Sequence, residues 1–145
     1  MMSLTQLQGA ARTAAEAHGL DPALVCAVCH HESANWKPWA ARYEPGFYGR
    51  YVVGIQGISE TEKTLRATSF GLMQIMGQVA RELGFHGDYL TELLDPVTNL
   101  EFGCRKLARC MDRASSDIRA ALLLYNGGSD KGYPDRVLQH LPRYK

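Results

Sequence analysis

One stretch constrains this chain more than any other: Asp21-Pro22-Ala23-Leu24-Val25-Cys26-Ala27-Val28-Cys29-His30-His31-Glu32-Ser33, an apolar helix that ends on a carboxyl group. Asp21 suits an N-cap, and Pro22 suits the first helical position, where its missing N–H costs nothing. No further Gly or Pro interrupts the run before Pro38. Leu24, Val25, Val28 and Cys29 recur at helical spacing and form one apolar stripe, and Glu32 falls on the same stripe. Burial disfavours the charged form of a carboxyl and raises its pKa, which suits a general acid near neutral pH. The competing reading is a paired structural carboxylate, or one facing solvent at the helix end.

The remaining elements follow from period and punctuation. Ser3 to His18 reads as a helix with a modest Leu/Ala face, stopped by Gly19, in a scaffold role. From Trp36 to Tyr51 the aromatics Trp36, Trp39, Tyr43, Phe47, Tyr48 and Tyr51 follow neither helical nor strand period. Pro38, Pro45, Gly46 and Gly49 make this an ordered loop, with Tyr51-Val52-Val53 as a short extended piece. Its aromatics either form a satellite core or offer a stacking floor for sugar rings, with Tyr43 among the candidates.

Ser59 opens a short helix to about Ala67 in capping-box form. Thr68 to Met76 begins as a turn and becomes a helix through Val79, Ala80 and Leu83, ending at Gly84. Gln74 is a lone amide in an apolar run, either solvent-facing or aimed into a cleft, where it can donate and accept at once. Asp88 to Leu94 forms another short helix. Asp95-Pro96 repeats the cap-plus-proline start of a long helix to about Met111, with Gly103 allowing close approach of a neighbour. A helix through Ile118 ends at Tyr125-Asn126-Gly127-Gly128, and Pro134 to Leu141 is the last. These elements predict an all-α fold, a single domain over residues 1–145 with about seven or eight helices.

Composition narrows the function classes. With 46% hydrophobic and 21% charged residues and a net charge of +1, the chain has no general attraction to nucleic acid or anionic membrane. The first twenty residues hold no long apolar run, so a cytoplasmic start without signal peptide or membrane span is expected. The four cysteines are expected as free buried thiols. Cys26-Ala27-Val28-Cys29-His30 does match the covalent haem pattern, but it lies inside an apolar helix of a chain read as unexported. No metal or cofactor is expected, and the protein is expected to be a monomer.

Four motifs then occur in an order with a counterpart: Glu32-Ser33, Gly71-Leu72-Met73-Gln74, Asp95-Pro96 with Asn99 and Gly103, and Leu124-Tyr125-Asn126-Gly127-Gly128. Together they resemble the catalytic domains of soluble lytic transglycosylases, which share the wider lysozyme-like fold with goose-type lysozymes. The resemblance runs roughly from Asp21 to Leu141, and with the aromatic loop it looks most like a bacteriophage or prophage cell-wall lysin. It implies Glu32 as catalytic acid and Ser33 as its hydrogen-bonding neighbour. It further implies that Gly71, Leu72, Met73 and Gln74 line the cleft, and that Tyr125 and Asn126 face Glu32 from across it, with Tyr125 as a second catalytic residue whose phenol orients the carboxyl or steadies the transition state. The segment between Ser33 and Ser69 looks longer than in common members, Gly77 stands where a proline often follows the Met, and Leu124 replaces a frequent Ala.

The implied substrate is peptidoglycan glycan, cleaved between N-acetylmuramic acid and N-acetylglucosamine with formation of a 1,6-anhydro ring. Three alternatives stay open, one of them the haem-binding reading of Cys26 to His30 already described. A hydrolytic muramidase would use Glu44 as the second carboxylate that usually activates water. A non-catalytic peptidoglycan-binding module would keep the aromatics and not need Glu32.

Overall fold

The computed structural model describes residues 1–145. Helix α1 (Leu4–Ala17) starts at a complete capping box, in which Ser3 Oγ accepts from the Gln6 amide and Gln6 Oε1 accepts from the Ser3 amide. Helix α2 (Pro22–Glu32) is capped by Asp21, whose Oδ1 accepts the Ala23 N–H at 2.9 Å. Every residue from Ala23 to Cys29 is buried, so α2 is apolar all round rather than along one stripe. That is the signature of a central helix covered on all sides. Around it pack α1, the long α6 (Pro96–Arg113), and the short C-terminal helices α8 (Tyr133–Leu138) and α9 (Leu141–Tyr144). The last of these were expected as one helix and break near His140. Tyr144 then pins the C-terminus, accepting from Trp36 Nε1 at 2.7 Å and sharing a 2.6 Å bond with His30 Nδ1.

The fold is mostly α, as expected, but a small antiparallel sheet is added, in the order β1 (Ala41–Tyr43), β2 (Thr68–Phe70), β3 (Ile75–Met76). The stretch after Thr68, expected to turn into helix, is instead a hairpin; helix begins only at α5 (Gly77–Glu82). The reason lies on α6. Buried Asn99 donates Nδ2 to Phe70 O at 2.7 Å and to Leu93 O at 2.9 Å, and its Oδ1 accepts the Met73 N–H at 2.9 Å. A short apolar run such as Leu72–Met76 is ambiguous by pattern, and these three bonds decide it. The turn needs positive φ at both ends, +72° at Gly71 and +46° at Gln74. A Cβ on Gly71 would sit 2.4 Å from Asn99 Nδ2. The close approach expected at Gly103 is made by this turn, since a Cβ there would meet Met73 Sδ at 2.4 Å.

The aromatic loop is ordered. Tyr51-Val52-Val53 is not extended: after the single turn α3 (Pro45–Phe47), residues Tyr48–Val52 form a wide helical turn closed by Val53 N–H to Tyr48 O at 2.8 Å. Val52 is buried on that turn, while its neighbours Tyr51 and Val53 are exposed. Helix α4 (Glu60–Arg66) is capped by Ser59 and crosses the start of α5 at Gly77, where a Cβ would lie 2.3 Å from Leu65 O. No bulkier residue fits there, which accounts for the missing proline. Helix α7 (Ile118–Tyr125), capped by Asp117, packs on α6. No helix is long and apolar enough to cross a membrane.

Candidate active site

A cleft of about 770 Å³ opens between the end of α2, the sheet and aromatic loop, and the C-terminal ends of α7 and its following turn. Glu32, Glu44, Gln74, Tyr125 and Asn126, all singled out from sequence, line it. A second, shallower depression of about 600 Å³ beside α4 and α5 is lined by groups already paired with one another, such as Arg81 with Glu62 at 2.7 Å.

Three carboxyl groups line the cleft, and two of them each face an arginine. Glu44 pairs with Arg42 at 3.0 Å, and Asp130 pairs with Arg136. Glu32 alone has no ion-pair partner. Burial pushes its pKa from 4.5 up to about 7; Lys106, the Tyr133 hydroxyl and Arg42 hold it from rising further. Burial is the largest cause because α2 is enclosed by its neighbours up to its last turn. At neutral pH such a group is populated in both forms and can give and take a proton.

Tyr133 was not foreseen. It is buried on the first turn of α8; its hydroxyl has no hydrogen-bond partner in the resting protein and lies near enough to Glu32 to favour the carboxylate. Burial raises its pKa, so it stays protonated and has a hydrogen to donate. The one sequence signal was a tyrosine just before Pro134, a helix-starting residue, with nothing to aim it at Glu32. Tyr125, from which that role was expected, spends its phenol on Met73 O at 2.6 Å, tying α7 to the hairpin. Lys106, one charge among several on amphipathic α6, and Arg42, on the wholly exposed strand β1, were also missed.

Several expected contacts fall outside the cleft. Ser33 is 0% exposed; its Oγ donates to Cys29 O at 2.5 Å and accepts the Trp36 N–H at 3.0 Å, closing the end of α2. Gly71, Leu72 and Met73 are buried beneath the hairpin turn, where their work is packing. Of that motif only Gln74 reaches the cleft. Its amide is already bound on both sides, donating to Ala40 O and Gly71 O and accepting from Ser69 Oγ at 2.8 Å. The aromatics divide. Trp36 joins the core, Tyr43 is exposed outside the cleft, and Phe47 and Tyr51 line it as a tilted pair with ring centroids 4.9 Å apart.

No group of His, Cys, Asp and Glu is arranged to hold a metal ion. The four cysteines are buried free thiols. Cys26 and Cys29 lie inside the core and His30 is bound to Tyr144 and stacked on His140, so the haem pattern has no face on which to carry a haem.

A mostly helical, lysozyme-like domain with one half-buried carboxyl, free of any ion pair, in an open cleft defines the class of protein this is. A family model described as "Transglycosylase SLT domain" matches residues 9–132, and the chain belongs to that family. Membership carries peptidoglycan degradation of the lytic transglycosylase type, with the bacterial cell wall as its place of action.

Proposed function

We propose that this chain is a lytic transglycosylase in which Glu32 serves first as acid and then as base. A glycan strand lies along the cleft with the bond between N-acetylmuramic acid and N-acetylglucosamine at Glu32. The protonated carboxyl gives its proton to the leaving O4 as the C1–O4 bond breaks, while the substrate's acetamido group supports the anomeric carbon. The Glu32 carboxylate then takes the C6 hydroxyl proton, and O6 closes the 1,6-anhydro ring. Tyr133 steadies the carboxyl by donating to it. Tyr51 and Phe47 supply an apolar wall for a sugar face, and Asn126 at the rim offers an amide to its polar groups.

One observation carries this reading: Glu32 is the single cleft carboxyl without a cation paired to it, and its pKa lies near 7. A hydrolase ordinarily needs a second carboxylate free to activate water. Glu44 lines the same cleft, which keeps hydrolysis as the second reading, but Arg42 engages it. Mass analysis of muropeptides released from purified sacculi decides between them. Products ending in 1,6-anhydro-muramic acid, one water lighter than hydrolysis products, are expected from the wild type and from Glu44→Gln. Reducing-end products from the wild type, together with an inactive Glu44→Gln, would establish the hydrolase.

A further inference from the structure

Lys106 is the one cleft cation that the scheme above leaves without work. Arg42 and Arg136 are matched to Glu44 and Asp130; Lys106 forms no ion pair. It projects from the middle of α6, where its Nζ donates to Tyr125 O at 2.7 Å and lies 4.0 Å from the centre of the Tyr125 ring. Two features therefore fix the ammonium in place: the carbonyl at the end of α7 and the face of the ring below it. Only one of its three N–H donors is used by the protein. Leaving a half-buried lysine without a carboxylate is costly, and burial does lower its pKa, while Cys110 and Glu32 pull the other way.

We propose that Lys106 is a positioning residue of the reaction: its fixed ammonium is the counter-charge against which Glu32 releases its proton and persists as a carboxylate until the C6 hydroxyl returns one. This rests on the function proposed above and adds the group that tunes it. The balance is simple. Proton loss by Glu32 to O4 turns a neutral acid and a cation into an anion and a cation, so the charge created in the first step is compensated inside the protein. An ion pair already closed in the resting state would hold Glu32 ionised and unable to act as acid. The absence of an ion-pair contact between the two groups leaves the acid protonated in part and still favours its anion once formed.

The other groups facing Glu32 do not duplicate this role. Tyr133 from α8 is a neutral donor, Arg42 from β1 is committed to Glu44, and Tyr125 from α7 is committed to Met73. His31, next to it on α2, also lines the cleft and has a pKa lowered by burial, which keeps it neutral near pH 7.

The test follows the Glu32 carboxyl carbon by NMR in protein labelled with ¹³C-glutamate, assigned by the signal lost in Glu32→Gln. In Lys106→Met the titration midpoint is expected to rise by about one pH unit, the lower end of what a nearby opposite charge supplies. Lys106→Arg restores it toward the wild-type value, and the falling alkaline limb of the lysis profile moves with the midpoint in each variant. In wild-type protein labelled instead with ¹³C-lysine, the Lys106 ¹³Cε signal, assigned by its loss in Lys106→Met, shows a step at the Glu32 midpoint. A folded Lys106→Met with an unmoved midpoint, or slower lysis with the alkaline limb in place, would overturn the proposal, as would a Lys106 signal blind to Glu32. Full lysis by Glu32→Gln would instead sink the function proposed above, whatever the titrations gave.

Discussion

Replacing Glu32 by Gln should remove activity and add stability, in a pH-dependent way whose size the structure sets. Burial lifts the carboxyl from 4.5 to about 7. A carboxyl with a raised pKa in the folded state binds its proton more tightly there than in the unfolded chain. Its contribution is therefore fully favourable below about pH 4.5 and is lost as pH rises through about 7. At roughly 1.4 kcal/mol per tenfold, the rise amounts to about 3 kcal/mol, and about 2–3 kcal/mol after allowing for water in the open cleft. The neutral, isosteric amide escapes that cost. Urea unfolding of both proteins at pH 4.5, 6, 7 and 8 should show near-equal stability at the acid end. By pH 8 the variant should lead by about 2–3 kcal/mol, a large share of a small domain's total. Lysis of sacculi by Glu32→Gln should fall by roughly 10²-fold or more, as for loss of a positioned acid. A stability difference that stays constant with pH would refute the argument that burial sets this carboxyl's pKa, and wild-type-like lysis would refute its catalytic role.

Asn99→Ala leaves two buried carbonyls and one buried N–H without the partners they have now, so a loss of about 4 kcal/mol is expected; a urea midpoint corresponding to less than about 1 kcal/mol would show the hairpin held by other means. Gly103→Ala pushes a methyl into the buried Met73 side chain and should cost about 1–3 kcal/mol in the same assay, whereas Gly46→Ala, with open space around it, should not. The cysteine thiols have pKa values raised by burial, Cys104 to about 12, so the native protein should resist a thiol reagent at pH 8 and yield four reactive groups once unfolded without reductant. Tyr51→Ala, by stripping one ring of the cleft-lining pair, should weaken retention of Glu32→Gln protein on sacculi in a pull-down, and undiminished retention would remove Tyr51 from the glycan wall.

What the sequence alone determined is what depends on neighbours along the chain. The cap-plus-proline starts at Asp21 and Asp95, with periodicity elsewhere, placed α1, α2, α6 and α7 to within a residue or two, because a cap satisfies donors only two or three residues away. The oddity of a carboxyl on an apolar helix marked Glu32 for the same local reason. The tertiary structure decided what depends on partners far along the chain. The segment Leu72–Met76 became a hairpin because Asn99, a residue of another helix, satisfies its backbone. Of two tyrosines, the one marked by the Tyr-Asn motif was captured by Met73 O, and Tyr133 was left facing Glu32. Trp36 went to the core while Phe47 and Tyr51 went to the cleft, although composition treats all three alike. Lys106 is one of many charges on an amphipathic helix until α7 lays a carbonyl and a ring against it. Helix signals are encoded within a few residues, but the burial and polarity of a site arise only where separate elements meet, and no single stretch of this chain carries that information.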